Sequence, residues 1–211
     1  MAGGPSLRLY RAPWSTNCER VGLALAHKGI EASSVIIDYS NRTPVEAVSG
    51  QELVPVVEHS DGSVVADSVA ILRDLERRRP QPPLFPADPA RRAELDVFID
   101  WFERVYKREP NEIEAELGLE QPDHALVGRL GSVVQARLEL FERLLAGREH
   151  LYGEFSAADC VAYPFLKYAG GREPADDELF HVVLDEHQRL GDEHPNLRRW
   201  IARMSERPQA Y

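Results

Sequence analysis

The chain has 211 residues, 43% of them apolar and 28% charged, which is enough to bury a core in one large domain or two small ones. Its 25 Lys and Arg against 35 Asp and Glu give a net charge of −10, which argues against binding to nucleic acid or to an anionic membrane. No stretch approaches the roughly 20 apolar residues of a membrane span, and the first residues lack the pattern of a signal peptide. Two distant cysteines suit a reducing compartment, so we expect a cytoplasmic protein. Arginine far outnumbers lysine, which suggests a GC-rich, bacterial genome.

Residues 7–79 alternate short apolar runs with helical patterns. We predict strands at residues 7–10, 35–37, 54–59 and 63–66, and helices at residues 17–28, 44–49 and 67–78. Gly29 stands where a left-handed residue would end the first of these helices, and Asp61-Gly62 favours a hairpin between the last two strands. The order βαβ followed by ββα is that of a thioredoxin-like α/β domain.

Residues 89–208 show helical periodicity almost throughout. We predict helices at residues 89–107, 122–145, 156–168, 177–190 and 195–205. The proline-rich run between the two halves fixes φ and removes backbone donors, so neither helix nor sheet continues through it. The predicted organisation is a thioredoxin-like domain at 1–80, a linker at 81–88 and an all-helical domain at 89–211.

Ser15 lies at the junction between the first strand and the first helix. Unpaired N–H groups and the positive end of the helix dipole favour an anion there, so a sulfur held near the Ser15 hydroxyl would have a lowered pKa. The structural alternative is that Ser15 only caps the helix. Residues 15–18 have the spacing of a C-x-x-C redox motif with serine in place of the first cysteine.

Two further segments carry groups that suit a peptide-like ligand. Val54-Pro55 precedes a predicted strand, and a cis bond there would leave the Val54 backbone N–H and C=O available to an extended peptide. Asp67-Ser68 opens a helix, and its carboxylate, hydroxyl and amides together could hold the ammonium and carboxylate of an amino acid.

In this order and spacing, the residues of the chain resemble those of a cytosolic glutathione transferase of the serine or cysteine type, similar to the zeta and theta classes. The resemblance implies the glutathione transferase fold, glutathione as co-substrate, and Ser15 as the group that activates its sulfur. It further implies that Val54 before cis-Pro55 binds the tripeptide backbone, and that Asp67 and Ser68 bind the γ-glutamyl end. Ser156 and Asp159 match the family's helix-capping box, which is structural.

Other residues could take part. Tyr10 ends the first strand where tyrosine-type transferases keep their hydroxyl, with a packed aromatic as the alternative. Cys18 lies one turn into the helix and is expected to be an inert buried thiol. Trp14, Trp101 and Tyr106 are candidates for an apolar substrate pocket at the domain junction, although Trp101 also fits a core or interface position. The histidines have no metal-ligand spacing, so no metal site is expected.

The leading hypothesis is a transferase that joins the thiol to a small hydrophobic electrophile. Thiol–disulfide exchange, glutathione-dependent isomerisation on the same scaffold, and a non-catalytic binding module stay open as alternatives. By resemblance we also expect a homodimer formed through the last helix of the first domain and residues 98–106, with neither nucleic acid nor membrane as partner.

Overall fold

The computed structural model describes residues 7–211, which divide by their contacts into two units. The described part of unit 1 is residues 7–86 with residues 207–211, and unit 2 is residues 87–206. Among the described residues, every helix is too short or too polar to cross a membrane.

Unit 1 is a four-stranded mixed sheet with the strand order β2-β1-β3-β4. Its strands are β1 (Leu7–Arg11), β2 (Ala32–Ile36), β3 (Val56–His59) and β4 (Val64–Ala66), and its helices are α1 (Thr16–Lys28), α2 (Thr43–Ser49) and α3 (Ser68–Arg78). Strand β1 is parallel to β2 and antiparallel to β3, which is antiparallel to β4. The predicted thioredoxin-like order is confirmed.

Strand β2 lies three residues earlier at its start than predicted. It is an edge strand whose side chains are half-buried or exposed, with 53% of Ile36 exposed. Such a strand needs no continuous apolar run, and the prediction had followed the apolar run at residues 35–37. Ile37 lies just after the strand, where it is buried and its N–H donates to Arg11 O at 2.8 Å.

Helix α1 forms the crossover between β1 and β2. Its apolar residues are buried, and it ends at Gly29, whose φ of 59° is the left-handed conformation expected there. At the same end the Lys28 ammonium is buried and donates to Glu76 Oε2 at 2.6 Å, Arg79 O at 2.7 Å and Pro82 O at 3.0 Å. These bonds join α1 to the end of α3 and to the proline-rich segment.

The proline-rich segment packs as part of unit 1 up to residue 86. Leu84 and Phe85 within it are buried, at 1% and 2% exposure. Residues 207–211 also belong to unit 1, although the predicted domain boundary placed them with the helices. The reason is direct contact with α1, because Ala210 N–H donates to Gly22 O at 3.2 Å and Gln209 Nε2 to Glu19 Oε1 at 2.9 Å.

Unit 2 is helical, as predicted. Its α-helices are α4 (Pro89–Trp101), α5 (Arg108–Leu117), α6 (His124–Ala136), α7 (Leu138–Leu144), α8 (Ala157–Leu166), α9 (Leu179–His187) and α10 (Pro195–Ser205). A π-helical segment, Phe102–Tyr106, follows α4, and a short 3-10 helix, Lys167–Gly170, follows α8. Helix α5 was not predicted, because its first turn reads Arg-Glu-Pro-Asn. Proline is compatible with a first turn, where its missing N–H would have had no partner.

Aromatic rings fill the core of unit 2. Phe102 stacks on Tyr106 at a centroid distance of 4.5 Å and meets Phe165 edge-on at 5.5 Å, while Tyr106 meets Phe141 at 5.4 Å. Residues 98–106, expected by resemblance to contribute to a dimer contact, therefore direct most of their apolar side chains into this core.

Candidate functional site

The sheet register brings the candidate residues of unit 1 to one edge. Strand β1 ends at this edge before the loop that leads to Ser15. Because Tyr10 pairs with Val56 and Val56 with Ala66, the start of β3 and the end of β4 lie at the same edge. Val54 lies two residues before that start, and Asp67 immediately follows that end. Three segments that are far apart in sequence thus adjoin the same edge of the sheet, and α1 and α3 both begin after strands that end there.

Ser15 caps α1. Its backbone is extended, and its Oγ accepts the Cys18 N–H at 3.3 Å. A serine hydroxyl has two acceptor lone pairs and one proton, so accepting this amide leaves the proton of Ser15 to be donated. The Thr16 N–H of the first turn has no partner among the described residues. The cap therefore satisfies part of the helix end and leaves donors for an anion.

Cys18 lies one turn further along α1 and is 2% exposed. Burial raises the pKa of the Cys18 thiol, and this outweighs the Ser15 hydroxyl, the Ala12 amide and the Arg11 charge, which each lower it. A buried thiol that keeps its proton is a poor nucleophile. This environment fits the expected inert side chain.

Tyr10 is also buried, and its hydroxyl donates to Glu58 Oε2 at 2.8 Å. The same oxygen accepts from Arg8 Nη1 at 3.3 Å. Burial and the Glu58 carboxylate raise the pKa of Tyr10. The Tyr10 hydroxyl proton is therefore already donated to Glu58 in β3, which favours Ser15 over Tyr10 as the hydrogen-bond donor to a thiolate.

Val54 lies in the loop before β3, and the Val54-Pro55 peptide bond is cis. Within residues 7–211, neither the N–H nor the C=O of Val54 has a hydrogen-bond partner. An extended peptide laid along this loop would find one donor and one acceptor at the spacing that a strand offers.

Asp67 caps α3, where its Oδ1 accepts the Ala70 N–H at 2.9 Å. Ser68 begins the helix and is 4% exposed. In the described part of the chain, the N–H groups of Ser68 and Val69 have no acceptor. The helix end thus presents a carboxylate oxygen beside amide donors.

The backbone is strained beside both helix ends. Among the described residues, Trp14 (φ 64°) and Asp67 (φ 76°) are the non-glycine residues with positive φ, and they immediately precede Ser15 and Ser68. Residues other than glycine rarely adopt a positive φ, and those that do are concentrated at functional sites. The Trp14 indole is 60% exposed, so a large apolar surface lies next to Ser15.

The other two pocket candidates lie in unit 2. Trp101 is half-buried at the edge of the aromatic core, with its ring 6.0 Å from that of Phe98. Tyr106 has no exposed surface, and its hydroxyl donates to Gln188 Oε1 at 2.7 Å. In this arrangement Tyr106 is a core residue, because the π-helical turn directs it inward.

Sequence reasoning missed Arg20 as a residue of this site. Its side chain is completely buried between α1 and α3, and its Nη1 donates to Ser68 Oγ at 3.2 Å. The signal was available, since Arg20 stands in a helix next to the apolar residues Val21 and Leu23, which are buried. A charge on a buried helix face indicates a specific partner. Among residues 7–211, no group of three His, Cys, Asp or Glu side chains is arranged to hold a metal ion.

Comparison with known proteins agrees with this architecture. The model of the glutathione S-transferase N-terminal domain matches residues 14–78, and that of the C-terminal domain matches residues 125–203. FtsZ-localized protein A of Caulobacter vibrioides is 28% identical over 170 residues, which cover 75% of each chain. Maleylacetoacetate isomerase of Pseudomonas aeruginosa is 37% identical over 93 residues, or 41% of this chain and 44% of that protein.

Among solved structures, a glutathione S-transferase from Rhodospirillum rubrum F11 superposes with a TM-score of 0.75 and 27% identity. The match covers 96% of this chain and 89% of the other. The chain therefore belongs to the glutathione S-transferase family and, by that membership, is a glutathione transferase.

Proposed function

We propose that unit 1 binds glutathione and that Ser15 stabilises its thiolate for attack on a small hydrophobic electrophile. The observation that carries this proposal is the strand register, in which the end of β1, the start of β3 and the end of β4 lie at one edge of the sheet, next in sequence to Ser15, Val54 and Asp67-Ser68. A tripeptide thiol needs those three kinds of contact, and each group keeps hydrogen-bonding capacity for a ligand.

The binding mode follows from the donors and acceptors. The γ-glutamyl end lies at α3, with its ammonium on Asp67 and its carboxylate on Ser68 and the first amides of the helix. The peptide backbone pairs with Val54 in the manner of an added strand. The cysteinyl sulfur then lies at the N-terminus of α1.

The chemistry is a nucleophilic substitution or addition. The thiol loses its proton to solvent, the Ser15 hydroxyl donates a hydrogen bond to the sulfur, and the amides and dipole of α1 favour the anion. The thiolate forms a carbon–sulfur bond with the electrophile. In a substitution the leaving group departs with the electron pair of its bond to carbon, and in an addition the electron pair of the broken π bond takes up a proton from solvent. Binding both reactants together supplies proximity, and no metal is required.

Trp14 is the residue we propose for holding the electrophile, because its exposed indole lies next to Ser15. Aromatic surface favours flat apolar substrates. Trp101 and Tyr106 stay candidates for the same role from sequence. Of these, Trp101 offers partly exposed surface, whereas Tyr106 is enclosed.

The test is glutathione binding combined with the ultraviolet absorbance of the bound thiolate. We expect the thiolate signal in the wild type and in Tyr10→Phe, and its loss in Ser15→Ala. Ser15→Gly is the matched control, since glycine is tolerated at a helix N-cap but has no side-chain donor. If Ser15→Gly keeps the thiolate, the hydroxyl is not the stabilising group, and failure of the wild type to bind at millimolar glutathione would overturn the proposal.

Two alternatives have a specific observation behind them. Isomerisation is favoured by the likeness to maleylacetoacetate isomerase, and it would use the same thiolate without net consumption of glutathione. A non-catalytic binding role is favoured by a relative whose name refers to FtsZ localisation. Glutathione consumption with an aromatic electrophile separates conjugation from both. Disulfide exchange would require turnover that survives Ser15→Ala and is lost in Cys18→Ala.

We further propose that the protein is cytoplasmic and homodimeric. Helix α3 has exposed residues at Ala70, Arg73 and Arg77. Light scattering at micromolar concentration tests the assembly, and a monomer mass would contradict it.

A further inference from the structure

Arg20 is a charged side chain that lies wholly inside unit 1. It projects from α1 and donates from Nη1 to the Oγ of Ser68, the first residue of α3, at 3.2 Å. A guanidinium is costly to bury, so its place in the interior needs a function that an apolar residue could not supply.

The direction of this hydrogen bond determines what Ser68 can do. Arginine only donates hydrogen bonds, so the Ser68 oxygen must be the acceptor. The single hydroxyl proton of Ser68 is then left to donate elsewhere. Among the described residues it has no acceptor, and the neighbouring amides of Ser68 and Val69 likewise have none.

Three donors at the start of α3 are therefore without an acceptor among the described residues. Asp67, one residue earlier, uses Oδ1 to accept the Ala70 N–H and keeps its other carboxylate oxygen for a cation. Donors beside a carboxylate match the two charges of an α-amino acid.

We propose that Arg20 is a positioning residue for this site. By donating to Ser68 Oγ, Arg20 turns the hydroxyl proton of Ser68 toward the α-carboxylate of the γ-glutamyl end of glutathione. This inference rests on the proposed function and extends it to a residue that does not touch the ligand. If the Arg20–Ser68 hydrogen bond only joined α1 to α3, it would stabilise the fold but would not change the relative affinity for two thiols.

The experiment compares two thiols by calorimetric titration. One is glutathione, and the other is γ-aminobutyryl-cysteinyl-glycine, which lacks only the α-carboxylate. The variants are Arg20→Met, which fills the volume of the side chain without a donor, Arg20→Lys, which keeps a charged donor, Ser68→Ala, and the double variant Arg20→Met with Ser68→Ala.

We expect Arg20→Met to weaken glutathione binding by about tenfold, the usual size of a lost hydrogen bond to a charged group. Binding of the analogue should change less than about twofold, since no α-carboxylate remains to receive that bond. In the Ser68→Ala background, Arg20→Met should cost nothing further, because the hydroxyl through which it acts is absent. Arg20→Lys should keep most of the preference for glutathione over the analogue.

The ratio of the two affinities is insensitive to partial unfolding, so it remains informative if Arg20→Met is destabilised. Should Arg20→Met fail to fold, the same ratio in Arg20→Lys and Ser68→Ala decides, with the expected order wild type, then Arg20→Lys, then Ser68→Ala. Equal losses for both thiols, or additive losses in the double variant, would overturn the positioning role while the proposed function stands. A wild type that binds neither thiol would overturn both.

Discussion

Two serine caps in this protein use the same chemistry to different ends. Ser156 caps α8 in unit 2, and its Oγ accepts the Ala158 N–H at 3.3 Å while the Asp159 carboxylate accepts the Ser156 N–H at 3.0 Å. Ser15 caps α1 in unit 1, but the third helical residue there is Cys18, which cannot return such a bond. The Asp159 carboxylate places a negative charge at the N-terminus of α8, whereas the N-terminus of α1 has a thiol at the corresponding position and no such charge to repel an external anion.

The capping box of α8 is also part of the core. Asp159 has no exposed surface, and its Oδ1 accepts Trp200 Nε1 at 2.8 Å and the Leu151 N–H at 3.2 Å. Ser15, by contrast, is half-buried beside the exposed Trp14. The two caps therefore differ in the residue three positions after the serine, which is a buried carboxylate in α8 and a buried thiol in α1.

The largest effect on stability is expected from removing the Asp159 carboxylate from the capping box of α8. Asp159→Ala leaves the donors of Trp200, Leu151 and Ser156 buried without an acceptor, which should cost about 3–5 kcal/mol of unfolding free energy. Urea unfolding measures this loss. An effect below about 1 kcal/mol, the usual size for a solvent-exposed cap, would show that the Asp159 network is not what closes unit 2.

Substitution of Ser15, which caps α1, should change activity more than stability. Ser15→Ala should lower kcat/KM for glutathione conjugation by about two orders of magnitude, as the loss of one anion-stabilising donor does. Its unfolding free energy should fall by only about 1 kcal/mol, the value of an N-cap. Ser156→Ala is the matched control, with lower stability and unchanged kcat/KM in the folded protein. Equal effects of the two substitutions on kcat/KM would contradict the distinction.

A carboxylate introduced three residues after Ser15 would give α1 the same capping box as α8. Cys18→Asp places a carboxylate three residues after Ser15, as in the Ser156 capping box, where its negative charge repels a thiolate at the N-terminus of α1. Glutathione affinity should fall about tenfold, and bound glutathione should lose its thiolate absorbance at neutral pH. Cys18→Ser, which adds no charge, controls for the change in side chain and should keep both. Unchanged affinity in a folded Cys18→Asp variant would show that sulfur binds elsewhere.

The smallest expected effect is the pH dependence that the buried Cys18 contributes. Burial raises the pKa of this thiol in the folded state, so its contribution to stability is fully present below the unfolded pKa of about 8.5. That contribution is lost as pH rises through the higher folded pKa. Urea unfolding between pH 7 and 10 should therefore show the wild type losing stability relative to Cys18→Ala. Parallel curves would mean that Cys18 ionises equally in both states.

Local signals in the sequence predicted much of unit 1. Gly29, the Asp61-Gly62 turn and the Ser15 cap act through backbone conformation and hydrogen bonds within a few residues, and each was placed correctly. Such features need no knowledge of tertiary contacts.

Features that depend on distant contacts were not predicted. Helix α5 begins with charged residues and Pro110, and its buried partners are separate helices. The enclosure of Tyr106 follows from a π-helical turn, where Arg137 Nη1 donates to Val105 O at 2.9 Å. In the candidate site, the pairing of Arg20 with Ser68 spans 48 residues, so only a folded sheet could reveal it.

The placement of residues 207–211 on α1 has a consequence for biosynthesis. A Cβ on Gly22 would clash with the Tyr211 ring, and the centre of that ring lies 4.0 Å from the Arg11 guanidinium carbon. These residues leave the ribosome only after all of 87–206. Unit 1 therefore acquires its last residues only after unit 2 has been synthesised. A fragment that ends at residue 86 would leave the surface of α1 around Gly22 uncovered.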